Sequence, residues 1–421
     1  MDTSLTNLII SQANKHLPRL ARLLSLPVVA ILLIFNIRRL IFTITILLTN
    51  KKTKKIPANQ DNLPEVLVLI PCRNEVEMIP EICQAFSRLD YPVEKYQVVL
   101  IDDGSTDGTG EMIRQQAGTR PGWHVLTLPR NRGKANALNI ALAQFPAGEI
   151  IYIFDADHRP EADVIKRAVP YFEDATVAAV AGFTRVLNPI ASPIAYYSAV
   201  ESYANQLITI RAKDHLGLAP ALLGSNCGYR RQALMECGGF RDGAFSEDSD
   251  LTVAFHKAGY RIRFVEDAVS YQQVPQSIQG YLKQHIRWGR GMNDVAKVHG
   301  LEILRSRKLA LPLRFELLVF TAGYLDRIAL VGAAALTVLA SVSQDRFRFS
   351  PKIILFALLM PFAQIIALFI KERMQGAMWL RLPFMPIFFI LDIFAVARAM
   401  TDTLLNRPRL WMKTERVNVR S

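Results

Sequence analysis

The apolar residues of this chain fall in two places, and that placement constrains its fold more than any other feature. One block is SLPVVAILLIFNIRRLIFTITILLT (25–49), and a longer apolar region follows residue 309. The residues between them have ordinary polarity. Over 421 residues the chain is 51% hydrophobic and only 21% charged, with mean hydropathy +0.17. An excess concentrated at the two ends predicts membrane segments flanking a soluble middle.

The first block is long enough to cross ~30 Å of hydrocarbon, but Arg38 and Arg39 interrupt it. It reads either as one imperfect span or as two shorter pieces meeting near an interface. A cleavable leader fits poorly, because the preceding region is long and the apolar run ends in the Lys-rich NKKTKK. Lysines flanking a span mark the cytosolic side. They account for much of the net charge of +13, with attraction to phosphates or anionic lipid as a second contribution. Nucleic acid is not an expected partner: no recognition helix, zinc spacing or aromatic-basic motif occurs. Cys72, Cys83, Cys227 and Cys237 form no CxxC pair and suit a reducing compartment.

After a linker with Pro57 and Pro64, the pattern changes. VLVLIP (66–71), VVLID (98–102), VLTLP (125–129) and IIYIFD (150–155) are short β-branched runs. Helical patterns lie between them, near 76–88, 107–117 and 133–145. This alternation predicts an α/β domain with a parallel sheet covered on both faces. Ligands of such sheets bind beyond the carboxyl ends of the strands. Polar clusters follow the strands there: PCRNE (71–75), DDGSTDGT (102–109), RNRGKAN (130–136) and DAD (155–157).

Asp102 and Asp103 end a strand, where they can bond a ribose or base; an ordinary capping turn explains them equally well. Asp155 and Asp157, at i and i+2 of an extended segment, share a side. Together they can grip one hard divalent cation, Mg²⁺ or Mn²⁺, with diphosphate oxygens completing its shell. Glu247 and Asp248 open a helical pattern in which Ser246 would be the cap. The alternative reading makes Asp248 the general base that takes a proton from an attacking hydroxyl. In IQGYLKQHIRWGRG, Gln284, Arg287 and Trp288 share one helix face. Trp can stack on a sugar and Arg can neutralise diphosphate. Lys134 reads as a phosphate contact or a solvated surface group. His158 and His285 read as satisfied or exposed imidazoles, and Tyr196, Tyr197 and Tyr203 as core, with an acceptor surface as the alternative.

The candidate C-terminal spans are 315–343, 353–370 and 382–400. The first carries Asp326 and Arg327, which places part of it at the interface. Lys371 and Arg373 follow the second span, and Arg407 and Arg409 the third; both ends read as cytosolic. With a cytosolic middle, three simple spans cannot satisfy both. One segment must be re-entrant, interfacial or doubled.

PCRNE, DDGSTDGT, NRGKANALN, DAD, GSNCGYRR, GGF, SED and QHIRW, in that order over about residues 64–292, resemble the inverting family-2 glycosyltransferases. The similarity is greatest to the membrane-embedded poly-N-acetylglucosamine, hyaluronan and cellulose synthases. Q-x-x-R-W is the most specific element, and WMKTER (411–416) resembles the tail of this group. The resemblance implies a GT-A (Rossmann-like) nucleotide-sugar-binding domain with N- and C-terminal transmembrane helices. It implies donor contacts from Pro71, Asn74, Glu75, Asp102, Asp103, Lys134 and Asp155, and a metal at Asp155 and Asp157. It further implies catalysis by Asp248 with Glu247, and a donor–acceptor junction of Gln284, Arg287 and Trp288. The group's usual T-E-D is S-E-D here, which keeps the hydroxyl but leaves the subgroup open.

The expected organisation is a membrane segment with its basic flank (1–55), a cytosolic catalytic domain with an interfacial Q-x-x-R-W helix (56–300), and C-terminal membrane helices with a basic tail (301–421). The expected activity is metal-dependent, processive hexosyl transfer in β-linkage from a UDP-sugar to a growing polysaccharide. The expected location is the plasma membrane, with several spans. A glycolipid synthase acting on diacylglycerol or a related lipid would use the same motifs. An auxiliary subunit remains an open partner. The acidic motifs argue against a transporter or receptor, and PCRNE in place of G-x-G-x-x-G argues against hydride transfer.

Overall fold

The computed structural model describes residues 3–49, 62–342 and 350–408. The lysines of 51–55, Pro57 and the WMKTER segment lie outside the described residues. The stretch between the apolar ends is built on an eight-stranded sheet. Its strands are β1 (Val66–Cys72), β2 (Tyr96–Asp103), β3 (Trp123–Leu128), β4 (Ile150–Ile153), β5 (Arg159–Pro160), β6 (Val177–Val186), β7 (Cys227–Arg230) and β8 (Arg261–Gln272). They lie in the order β3-β2-β1-β4-β7-β6-β8-β5.

The β3-β2-β1-β4 half is parallel, as the alternation predicts. Its strands read as unbroken apolar runs because both faces are covered: Val66 to Ile70 and Val98 to Ile101 are all buried. The covering helices are α2 (Ile79–Phe86), α3 (Thr109–Ala117) and α4 (Lys134–Gln144).

The rest of the sheet departs from the expectation. β7 runs antiparallel to both β4 and β6, and β5 antiparallel to β8, so the sheet is mixed. Between β4 and β7 come α5 (Val164–Ala168), β6 and a long helical passage made of α6 (Pro193–Tyr203), a π-helical stretch Ala204–Ile210 and α7 (Arg211–His215). This excursion returns the chain from the opposite direction. The reversal places the start of β7 beside the end of β4. α8 (Arg231–Glu236) and α9 (Glu247–Lys257) then lead to β8.

The N-terminal apolar block is one unbroken helix, α1 (Thr3–Leu48). Its stretch Leu23–Leu48 is long and apolar enough to cross a membrane. Phe42 and Ile46, near its end, are buried in the same cluster as Leu67, Val99 and Ile153 of the sheet. The two arginines that interrupt the block do not break the helix, because each has an acidic partner. Arg38 binds Glu316 at 2.7 Å and Arg39 binds Asp326 at 2.6 Å.

After β8 comes α10 (Ile278–Arg305), whose span contains the boundary expected at residue 300. α11 (Leu311–Thr321) and α12 (Leu325–Val342) meet at a 67° bend where one span had been expected. α13 (Pro351–Lys371), α14 (Gly376–Arg381) and α15 (Met385–Leu404) complete the chain. Pro351–Lys371 and Gly376–Leu404 also pass the length and apolarity test for a span.

α15 nevertheless runs alongside α10 in the same sense. Tyr281 Oη donates to Asp392 at 2.7 Å, Asn293 Nδ2 to Thr403 at 3.1 Å, and Arg290 to the Arg407 carbonyl at 2.6 Å. The helices touch at Gly289, where a Cβ would lie 2.8 Å from that of Ala399. Ile387, Ile390 and Phe394 form an exposed stripe on the opposite side of α15.

Candidate active site

The sheet's reversal at β4/β7 builds the centre of the site. Asp155 follows β4, and its N–H donates to Ser225 Oγ, from the turn before β7, at 2.8 Å. Gly224 in that turn has φ +75°, and a Cβ there would lie 3.2 Å from Asp248 Oδ2 and 3.5 Å from Lys134 Nζ. Only glycine suits both the backbone and the close approach. Lys134, the first residue of α4, reaches across. Its ammonium is 2.7 Å from Asp155, 2.8 Å from Glu247 and 2.7 Å from the Gly224 carbonyl. Burial works against its charge, but the two carboxylates outweigh it and hold the ammonium protonated. Lys134 is thus a structural bridge within the site, not a solvated surface group.

Ser246 occupies the N-cap position of α9, yet its side chain caps no backbone N–H. Its hydroxyl donates instead to Asp248 Oδ1 at 2.8 Å, and the Ser249 N–H donates to the same oxygen at 2.8 Å. Burial, followed by the negative charge of Glu247, pushes the Asp248 carboxyl up to about 6; the Ser246 hydroxyl and Lys134 pull the other way. A carboxylate poised there suits a general base at neutral pH.

Asp155, Asp157 and His158 offer ligand atoms that all lie within 4.8 Å of one another. Carboxylate oxygens with one imidazole form a donor set suited to Mn²⁺ or Mg²⁺. The sequence predicts a satisfied or exposed imidazole at His158 in preference to a ligand. Its Nδ1 does pair with Ser270 Oγ at 2.9 Å, and burial lowers its pKa, which favours the neutral ring that ligation needs.

Gln284, Arg287 and Trp288 sit on α10, with Trp288 41% exposed. The α10 backbone comes close to α9: at Gly291 a Cβ would lie 2.8 Å from Ser246 Cβ. His285, on the same helix, is stacked on Tyr281 at 3.7 Å and bonds Glu201 at 2.9 Å. The charged groups of these elements meet at one cavity of about 670 Å³. It is lined by Lys134, Asp155, Asp157, His158, Glu247, Asp248, Gln284, Arg287 and Trp288. Ala204, Asn205, Gln206, Thr209 and Ile210 of the π-helical stretch also line it; such stretches favour functional walls.

The β1–β2 rim lies beside this cavity but does not line it. Asp102 Oδ1 accepts the Ser105 N–H at 3.0 Å, and Asp103 accepts the N–H groups of Arg132 at 2.7 Å and Gly133 at 3.0 Å. Both carboxylates are buried and shape their turns. Asn74 (φ +54°) accepts the Thr106 N–H, and the Glu75 N–H donates to Thr109 Oγ1. These bonds fix PCRNE against DDGSTDGT, with Pro71 half-buried at the end of β1.

Of the three tyrosines expected in the core, all are buried, but Tyr197 also lines the cavity. Glu201, Arg327 and Asp392 line it too, and the sequence reading gave none of them a role in the site.

Residues 64–291 match the family described as Glycosyltransferase like family 2. The probable glycosyltransferase YdaM of Bacillus subtilis is 31% identical over 241 residues, covering 55% of this chain and 56% of that protein. Poly-beta-1,6-N-acetyl-D-glucosamine synthase of Staphylococcus aureus is 28% identical over 260 residues, covering 61% of this chain and 62% of that protein. This chain therefore spans less than two thirds of either relative. A mannosyltransferase from Pyrobaculum calidifontis, solved in complex with GDP-Man and Mn²⁺, superposes with a TM-score of 0.62. The superposition covers 93% of this chain and 100% of that one at 24% identity, a likeness of fold.

Proposed function

Because this chain belongs to the glycosyltransferase like family 2, we propose that it transfers a sugar with inversion from a UDP-sugar to an acceptor at the cytosolic face of a membrane. The observation that supports this reading is the single cavity in which Asp155, Asp157, Asp248 and the Q-x-x-R-W side chains face one another. In this proposal Asp248 takes the proton of the attacking hydroxyl, and Ser246 holds the carboxylate oxygen in place. Glu247 and Lys134 set the charge beside Asp248. Arg287 neutralises the departing diphosphate, and Trp288 stacks on the acceptor sugar. Asp155, Asp157 and His158 would hold Mg²⁺ or Mn²⁺, which when bound offsets the negative charge on the leaving nucleoside diphosphate. Pro71, Asn74, Glu75, Asp102 and Asp103 form the nucleoside end, where the two aspartates act mainly by shaping the loops.

The acceptor in this reading is a growing β-linked polysaccharide, in keeping with the poly-N-acetylglucosamine synthase relative. We place α1, α12 and α13 across the bilayer, with α10 and α15 along its cytosolic surface. The one-sided apolar stripe of α15 and its bonds to α10 support this arrangement. It leaves both Lys371 and Arg407 in the cytosol, which removes the conflict that three simple spans create. The test is to incubate the purified protein with a panel of UDP-sugars and Mg²⁺ or Mn²⁺ and to size the products. Ladders that grow with time support the reading. No transfer from any UDP-sugar would end it.

A further inference from the structure

His285 is the first variable position of Q-x-x-R-W, and it is the middle of a column of three rings on α10. Tyr281, His285 and Trp288, at i, i+4 and i+7, fall on one face of the helix. The imidazole lies nearly flat on the Tyr281 ring, with 3.7 Å between centroids. On its other side it meets the Trp288 indole at 4.8 Å, tilted by 63°. Tyr281 and His285 are buried, while Trp288 lines the cavity. The foot of the column is tied down. Tyr281 Oη donates to Asp392 of α15 at 2.7 Å, and Arg327 of α12 holds Asp392 at 3.1 Å.

Two observations give the middle ring a charge. His285 Nε2 lies 2.9 Å from Glu201 Oε2, and Nδ1 lies 3.0 Å from the Tyr281 carbonyl oxygen. A carbonyl and an ionised carboxylate only accept, so both contacts are hydrogen bonds only when both nitrogens carry hydrogen. The second observation is the charge balance. Arg39, Asp326, Arg327 and Asp392 form a chain of ion pairs from α1 through α12 to α15, in which two cations meet two carboxylates. Glu201 is then matched by His285. Burial works against the imidazolium, but Glu201 outweighs it and raises His285 above the usual imidazole range. Around the ring stand Glu201 and Tyr197 of α6, Asp392 of α15, Arg327 of α12 and Tyr324 in the bend before it. The tyrosines titrate at about 10 or above.

We infer that His285 is a positioning residue for Trp288: Glu201 holds it as a cation, and the cation holds the indole at the tilt that receives the acceptor sugar. A cation within about 6 Å of an indole is attracted to its π system, more strongly away from water. This rests on the transfer reading above, in which Trp288 stacks on the acceptor. It adds a residue that the motif leaves open, and with it Glu201, 84 positions away on α6.

The experiment uses the full chain in detergent micelles. An imidazolium in contact with an indole quenches its emission, and a neutral imidazole does so far less. The emission of Trp288, taken as wild type minus Trp288→Phe, is read from about pH 5 to about pH 9. It should rise in one step centred above the ordinary imidazole value of about 6.5. Glu201→Gln, which keeps the shape, should move the step to lower pH, and His285→Gln should remove it. With the active UDP-sugar and a soluble β-linked tetrasaccharide, His285→Gln should raise the acceptor KM about tenfold, the size of a partly desolvated cation–π contact, and leave the donor KM as it was. Emission flat across the range, a step that survives His285→Gln, or an unchanged acceptor KM overturns the inference. The emission titration needs neither turnover nor a His285 variant. A step that Glu201→Gln shifts, in a protein that transfers from no UDP-sugar, would keep the pairing of His285 with Trp288 and sink the transfer reading alone.

Discussion

Acidification from pH 7 to pH 5 is predicted to cut kcat/KM for the donor about tenfold, with a single acidic limb. The cause is Asp248. Burial and the neighbouring Glu247 push its carboxyl up to about 6. At pH 7 about nine-tenths of a group with that pKa is ionised, and at pH 5 about one-tenth, whereas an ordinary Asp near 3.9 would lose less than about a tenth of its ionised form over the same range. kcat/KM reports the free enzyme, so the limb should centre near the value that the side chain has before donor binds. In kcat the limb should lie lower, because a bound cation favours the carboxylate. The Ser246 hydroxyl opposes the upward shift, so Ser246→Ala should move the kcat/KM limb to higher pH. The assay is the initial rate of nucleotide release between pH 4.5 and 8.5 at saturating Mn²⁺. The same shift means that the folded state prefers the proton. Its contribution to stability is complete below the ordinary Asp range and is lost as pH rises through about 6. A kcat/KM that stays flat down to pH 4.5 would refute the reasoning.

Asp157→Asn should weaken Mn²⁺ binding in the presence of UDP, read by electron paramagnetic resonance, and EDTA should abolish transfer by the wild type reversibly. Lys134→Met removes a positive charge that favours the Asp248 carboxylate; its kcat/KM limb should shift upward, and the pH profile tests this. Gly289→Ala places a methyl 2.8 Å from Ala399 Cβ and should cost about 1–3 kcal/mol of stability, visible as a lower unfolding midpoint in detergent. Arg38→Ala leaves Glu316 paired with Lys213 alone, so the loss of stability measured by denaturant unfolding should be smaller than the about 3–5 kcal/mol that a wholly unpaired buried charge costs.

The half of the sheet that carries β1 to β4 was legible because parallel strands buried on both faces read as apolar runs, and because the acidic clusters fall just after them. The other half was not. β6 is rich in alanine, β7 has four residues, and β8 mixes Arg, Glu and Asp with its apolar positions. β6 does carry an apolar run, VAAVAGF, but alanine and glycine fill more than half of it, and β7 and β8 carry none. The antiparallel turn of β7 follows from a helical detour that no local pattern announces. At the site, type and spacing single out Asp155, Asp157, Asp248, Gln284, Arg287 and Trp288, all of which line one cavity. The bridge from Lys134 to Glu247 joins residues more than a hundred positions apart, and so does the link from Arg38 to Glu316, which explains why two arginines sit in a membrane helix.

Asp248→Asn, assayed for sugar transfer and for UDP–Mn²⁺ binding on one preparation, tests the central claim most directly. Transfer lowered by about 10²–10⁴, with nucleotide binding retained, is the predicted result. Transfer at the wild-type rate would contradict it.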